Sequence, residues 1–438
     1  MLQFILFMNE FVLILYFFLI LILIYSFLSL KDPASPQIIF SVKLGVYFSS
    51  LIFLDYRLEV YLIFILILLI IFFISFIYSL KINKFNTNTN YTEIKKNLTI
   101  PTEIFWLMSL PSVIVLHYLI NEFGGYSQFF EPGGFFEASK FRGKFFAGLG
   151  VIKTLISTFY VVHLYYFSYI INLNYKKYKI TYILFGFHFL IFLFLATISF
   201  SRGTLLGMFV LMGLIYHYER KRINTFMIVA GLSSLMFIAL VLGVVRETVT
   251  FSNGDFSLNY ELKQDGLKKT PIIYGTFPLQ TMLDAEKIDK QYGLTYLSGI
   301  TIFVPRSIWP NKLDTGGVIF TKNYTNLYDE FSDFTTGMFP EAMINFGVIF
   351  GIIFASLQLI LLIYWLNSLY IKIIYNNKNN VIYHKDIFKL LFYIHTLAAV
   401  TGLLIGEFTN TFKGWVVQLL ILYITFTFIK VSNKIKYK

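Results

Sequence analysis

Seven arginines stand out among the 36 lysines and arginines of this chain: Arg57, Arg142, Arg202, Arg220, Arg222, Arg246 and Arg306. A guanidinium is always charged and presents a planar fork that grips phosphate with two parallel hydrogen bonds, whereas a lysine is a mobile point charge. Arg202, Arg246 and Arg306 together read as a clamp for a phosphate-like anion; the alternative is that each only snorkels from a helix end. The run Val304-Pro305-Arg306-Ser307-Ile308-Trp309-Pro310-Asn311-Lys312 adds a backbone stiffened by two prolines, an interfacial tryptophan and a second cation, Lys312. It is either a phosphate seat or a structural loop with an aromatic anchor. In Phe339-Pro340-Glu341-Ala342-Met343-Ile344-Asn345-Phe346-Gly347, the carboxylate of Glu341 opens an apolar stretch. Glu341 is placed to deprotonate a hydroxyl, to pair with an arginine, or to stabilise a helix N-terminus.

Other chemistries find no motif. There is no H-E-x-x-H, no phosphate-binding G-x-x-x-x-G-K-[ST], and no Asp-x-Asp pair to carry a metal on a sugar nucleotide. The absence of cysteine removes disulfides, iron–sulfur clusters and thiolate zinc sites. The six histidines (His117, His163, His188, His217, His384 and His395) are scattered and mostly embedded in apolar sequence, as packed core residues are. We therefore expect neither metal nor cofactor. Lys43, Lys153 and Glu407 fall in or near apolar stretches, where a charge is a functional candidate or a snorkelling one.

The elements that must position these residues are membrane helices. Of 438 residues, 57% are hydrophobic and 14% charged, against about 25% charged in soluble domains. The apolar residues come in long blocks, near 9–29, 37–56, 58–80, 102–122, 145–171, 180–199, 204–217, 224–245, 343–366, 388–406 and 412–429. This pattern predicts an all-α polytopic membrane protein with about eleven spanning helices (10–12). Residues 1–246 carry helices one to eight, 247–340 form a long polar loop, and 341–438 carry helices nine to eleven. Leu294 to Val304 is apolar yet too short to span, as a re-entrant or interfacial piece would be. The N-terminal block lacks a basic leader and a small-residue cleavage site, so it reads as a retained helix.

Alternating sides puts the basic clusters near 81–96, 176–179, 220–222, 372–389 and 430–438 on one face, which the positive-inside rule makes cytoplasmic. Loop 247–340, loop 123–143 and Ser201-Arg202-Gly203 then face the other way, with the N-terminus outside. Five of the seven arginines share that face, against the usual bias. The net charge of +12 is explained by the cytoplasmic loops, and no basic stripe suggests nucleic acid.

Three motifs in this order carry a resemblance: Ser201-Arg202-Gly203 opening a helix, Pro305-Arg306-x-x-Trp309-Pro310-x-Lys312 with Gly316-Gly317 behind it, and Pro340-Glu341-Ala342-x-x-Asn345-Phe346-Gly347. Together with a long loop in the second half, they resemble the Wzy-type O-antigen (oligosaccharide repeat-unit) polymerases. The layout covers most of the chain and the motifs about 150 residues, 200 to 350. The resemblance implies a GT-C-like, metal-independent glycosyltransferase in the bacterial inner membrane with its site on the periplasmic side. It would move a growing glycan from undecaprenyl pyrophosphate to the non-reducing end of a new lipid-linked repeat. It also implies a chain-length regulator and a flippase as partners. On that reading Arg202, Arg246, Arg306 and Lys312 hold the pyrophosphate, and Glu341 activates the acceptor hydroxyl, with Arg202 and Arg306 sharing the catalytic work. An O-antigen ligase shares the layout and anion chemistry. A lipid-linked oligosaccharide flippase would instead show two similar halves, short loops and charges along a central path. A purely structural assembly partner is the remaining reading.

Overall fold

A computed structural model describes residues 2–30, 32–52, 56–82, 102–122, 124–131, 150–173, 176–198, 202–224, 227–228, 231, 234, 249–252, 255–258, 276–304, 308–325, 335–375 and 384–436. These residues are predominantly helical. They fall into two compact units, each assembled from separate stretches of chain: Met1–Thr89 with Lys263–Asn376 and Thr396–Trp415, and Asn90–Leu262 with Asn377–His395 and Val416–Lys438.

The first unit begins with α1 (Leu2–Leu30), α2 (Pro36–Tyr47) and α3 (Leu58–Ile82). It continues with three short helices, α9 (Phe277–Asp284), α10 (Leu294–Thr301) and α11 (Gly316–Tyr324), then α12 (Met338–Phe346) and α13 (Val348–Tyr370). In the second unit are α4 (Thr102–Glu122), α5 (Gly125–Phe130), α6 (Gly150–Ile170), α7 (Lys179–Ile198), α8 (Arg202–Glu219) and a small antiparallel hairpin, Val249–Ser252 paired with Asp255–Leu258. The last two helices, α14 (His384–Gly402) and α15 (Phe408–Lys436), contribute residues to both units.

Among the described residues, five helical stretches are long and apolar enough to cross a membrane: Leu58–Leu80, Thr102–Glu122, Lys179–Ala196, Val348–Ile374 and Phe408–Ser432. Shorter apolar stretches, Val12–Leu28, Leu155–Ile170 and Leu205–Glu219, lie in α1, α6 and α8. Outward-facing side chains on these helices are apolar: Leu62, Leu69 and Phe73 on α3, and Ile349, Phe350, Leu357 and Leu361 on α13. A helix apolar on both its packed and its open face has lipid rather than water for solvent. The chain is a helical membrane protein.

Block two does not form a spanning helix. Pro36 starts α2 at its first turn, a position where the missing N–H is no loss. After twelve residues the helix gives way at Phe48 to a 3-10 turn, Ser49–Ile52. Twelve residues rise about 18 Å, short of a hydrocarbon core of about 30 Å. The polar stretch after residue 247 is also not plain loop, since α9, α10 and α11 lie within it. Block eight, 224–245, falls almost wholly outside the described residues.

The core of the first unit is Phe40, Leu44 and Phe48 against Val60, Phe64 and Ile71, with Ala355, Leu359 and Ile363 of α13 behind. Polar pairs are buried within it: Gln37 donates its amide to Asn367 at 2.5 Å and the Tyr370 hydroxyl donates to Asp32 at 2.5 Å. Without water to absorb a mismatch, each such pair fixes a helix register. One close contact is backbone on backbone. At Gly347, with φ +81°, the chain turns from α12 into α13, and Gly351 then rests against Met343. A Cβ at 351 would stand 2.6 Å from the Met343 backbone, whereas one at Gly186 on α7 would meet nothing within 4 Å. Gly351→Ala is therefore expected to destabilise the fold by about 1–3 kcal/mol through overpacking. Gly186→Ala is expected to be neutral or to gain up to about 1 kcal/mol of helix propensity. Thermal unfolding in detergent separates the two.

Candidate functional site

Glu341 and Asn345 sit four residues apart on α12, hence on one face of it. Every residue from Met338 to Asn345 is buried, so both polar side chains must find partners inside the protein. They find them on α10 and at the start of α15. Glu341 Oε1 accepts the Thr295 hydroxyl at 3.0 Å, and Oε2 accepts the Phe408 backbone N–H at 2.6 Å. The Asn345 amide donates to the Thr295 hydroxyl at 2.6 Å and to the Glu341 carbonyl at 2.8 Å. Its Oδ1 accepts the Gly293 N–H at 2.9 Å. The Thr295 hydroxyl thus receives from Asn345 and gives to Glu341.

Phe408 N–H is one of the orphan donors at the first turn of α15. Glu341 therefore stabilises a helix N-terminus, one of the three roles open to it in the sequence, although the helix is α15 and not its own. Gly316 makes room for this carboxylate, since a Cβ there would lie 3.0 Å from Glu341 Cγ. Next to Phe408, Glu407 does for α11 what Glu341 does for α15. Its Oε2 accepts the Gly317 N–H and its Oε1 accepts the Asn410 amide. The network closes through Thr409, whose hydroxyl donates to the Thr295 carbonyl at 2.8 Å and lies 2.7 Å from the Ser298 hydroxyl.

Burial pushes the Glu341 carboxyl up to about 7, because desolvation outweighs the hydrogen bonds from Phe408 and Thr295 that favour the anion. A carboxyl poised there can take a proton at neutral pH.

The other residues singled out in the sequence are placed as follows. Lys312 belongs to the same unit as Glu341, and its ammonium donates to the Val304 carbonyl at 3.0 Å, drawing the two ends of that motif together. Trp309 between them is exposed. Arg202 is the first residue of α8, in the other unit, and its side chain lies outside the described residues. Arg246 and Arg306 also lie outside them. Lys43, on α2, donates to the Thr401 hydroxyl at 3.0 Å. Thr295, Ser298 and Thr409 were not singled out from the sequence, yet Thr295 and Ser298 carried a usable signal: hydroxyls three residues apart in an otherwise apolar run, which put them on one helical face.

The second unit holds a polar line of its own. His163 on α6 and His188 on α7 are buried with their Nδ1 atoms 2.8 Å apart. His188 Nε2 lies 2.8 Å from the Ser109 hydroxyl, which donates to the Phe105 carbonyl at 2.8 Å. His163 Nε2 has no hydrogen-bond partner among the described residues. Phe185 and Phe192 stack on the His163 ring.

Compared with known proteins, the chain matches no family profile, no curated protein and no solved structure.

Glu341→Gln is expected to fold, because the amide keeps an oxygen for the Phe408 N–H and turns its N–H toward the Thr295 hydroxyl. Glu341→Ala strands the half-buried Phe408 N–H and is expected to cost about 1 kcal/mol for that group alone. The pH dependence has a definite sign. With the folded value near 7 and the ordinary one at 4.5, the folded protein holds this proton more tightly. The Glu341 contribution to stability is thus fullest below about 4.5 and falls as pH rises to about 7. Unfolding midpoints across that window are expected to slope downward in the wild type and to lack this component in Glu341→Gln.

Proposed function

We propose that this chain is an inner-membrane polymerase of lipid-linked oligosaccharide repeat units, with about ten spanning helices, the apolar blocks less block two, and a GT-C-like plan. What supports the reading is the convergence, in one place, of residues from a motif that resembles one in Wzy-type polymerases. Glu341 and Asn345 of Pro340-Glu341-Ala342-x-x-Asn345-Phe346-Gly347 meet one buried network with Thr295 and the start of α15.

In the reaction, a hydroxyl oxygen at the non-reducing end of the incoming repeat attacks the anomeric carbon of the growing glycan. The bond from that carbon to the pyrophosphate oxygen breaks, its electron pair leaves with undecaprenyl pyrophosphate, and the hydroxyl proton passes to a base. The leaving group is anionic and sits at the membrane surface, so fixed cations are the natural stabilisers. Arg202, Arg246, Arg306 and Lys312 are assigned to it, and Glu341 is assigned as the base. Thr295 already stands toward Glu341 Oε1 as an acceptor hydroxyl would, donating at 3.0 Å. Base catalysis then requires the Thr295 hydroxyl to yield its place to the sugar. The partners of such an enzyme are the lipid-linked substrate, a flippase that delivers it and a chain-length regulator.

The test is the surface polysaccharide ladder of cells lacking this gene, complemented with wild type or variants at matched membrane levels. Deletion is expected to leave core capped by a single repeat. Arg202→Lys and Arg306→Lys are expected to collapse the ladder toward that form, and Glu341→Gln to shorten it at unchanged protein level. Core without any repeat after deletion points to a ligase or flippase instead. A full ladder from both lysine variants removes the pyrophosphate clamp.

A further inference from the structure

Helix α10, Leu294–Thr301, is amphipathic the wrong way round for a helix in water. Thr295, Ser298 and Gly299 face inward, and the two hydroxyls are bonded into the Glu341 network. Leu294, Leu297 and Ile300 point outward, with Leu297 51% and Ile300 68% exposed. The outward apolar series continues through Phe303 and Ile308, the latter 74% exposed, to Trp309. A surface helix in water turns its apolar stripe to the core and its hydroxyls to the solvent.

The patch is continuous with a membrane-spanning surface. Tyr296 packs its ring on Phe354 of α13 at 5.4 Å and on Phe408 of α15 at 5.3 Å. Both helices contain stretches long and apolar enough to span, and α13 opens with Ile349 and Phe350 facing outward. Lipid that bathes the first turns of α13 therefore reaches α10. Eight residues rise only about 12 Å, so α10 cannot cross a bilayer of about 30 Å. Tryptophan followed by lysine, as at Trp309 and Lys312, is the composition found where acyl chains meet headgroups.

We infer that α10, with Phe303, Ile308 and Trp309, lies along one membrane surface, apolar face in the acyl region, with the lipid bilayer as the partner that covers these residues. Thr295 ties α10 directly to Glu341, so the buried carboxylate network sits at the boundary between headgroups and hydrocarbon.

The absence of cysteine makes the test clean. Single variants Leu297→Cys, Ile300→Cys and Ile308→Cys of the full chain each carry one nitroxide in phosphatidylcholine–phosphatidylglycerol vesicles. Lys322→Cys, at an exposed position of α11, is the aqueous control. Collision rates are read with oxygen, which concentrates in hydrocarbon, and with a water-soluble nickel chelate. Labels at 297, 300 and 308 are expected to favour oxygen over nickel several-fold, with the order reversed at 322. Nickel access at all three apolar positions places the patch in water and overturns the inference. Immobile labels shielded from both reagents show a protein cover, from a second copy or another chain, and overturn it equally. Three separate positions keep the result readable if one variant fails to fold.

Discussion

A carboxylate with no access to solvent must have both oxygens satisfied, and Glu341 meets that demand by joining segments far apart in the chain. One oxygen holds Thr295, 46 residues earlier, and the other holds Phe408, 67 residues later. The rest of the first unit is arranged around this requirement. Gly316 is small because the carboxylate occupies the space a side chain would fill. Asn345 stands one turn away to fix the Thr295 hydroxyl, and Glu407 repeats the device on α11. An unmet donor here costs about as much as a lost cap or more, since no water replaces the missing partner. Such a network is well made or badly broken, with little between.

The same scarcity of water shapes the rest of the helices. Where lipid is the solvent, apolar burial no longer distinguishes inside from outside, and close packing and polar pairs take over that role. The contact of Gly351 on Met343 and the pairs Gln37–Asn367 and Tyr370–Asp32 are instances of each. They explain how helices nearly uniform in hydrophobicity can still pack in a single register.

Length and hydropathy made the class of protein legible, because bilayer thickness imposes a period that composition cannot hide. Helices α3, α4 and α7 follow their apolar blocks closely, since nothing inside those blocks competes with the helix. Block two did not read correctly: a run of apolar residues carries no mark of where a helix stops, and α2 ends at Tyr47. Among the short helices, α10 falls in Leu294 to Val304, the apolar run that reads as too short to span, whereas α9 and α11 were hidden for the opposite reason, as each is under ten residues and lies in mixed sequence. Of the candidate site, Glu341 was visible as a charge opening an apolar stretch. Its partners were less so: Thr295 shares a helical face with Ser298 in an apolar run, but only tertiary packing brings it to the carboxylate, and Thr409 gains meaning only through its bonds to that pair. The basic residues were singled out by type, and type alone does not say which of them share a space.

The buried histidines of the second unit carry an implication about direction. Ser109 has one hydroxyl hydrogen, and it goes to the Phe105 carbonyl. The serine oxygen must then accept from His188 Nε2–H, which leaves His188 Nδ1 a lone pair and obliges His163 to supply its Nδ1–H. With both rings neutral, the line ends in a bare lone pair on His163 Nε2, enclosed by phenylalanine rings. The opposite order would give up the serine bond and bury an N–H with nothing to receive it, a worse state than an idle acceptor. Three helices are thus threaded by a polarised line with a single sense, and among the described residues it ends on an acceptor that no donor meets.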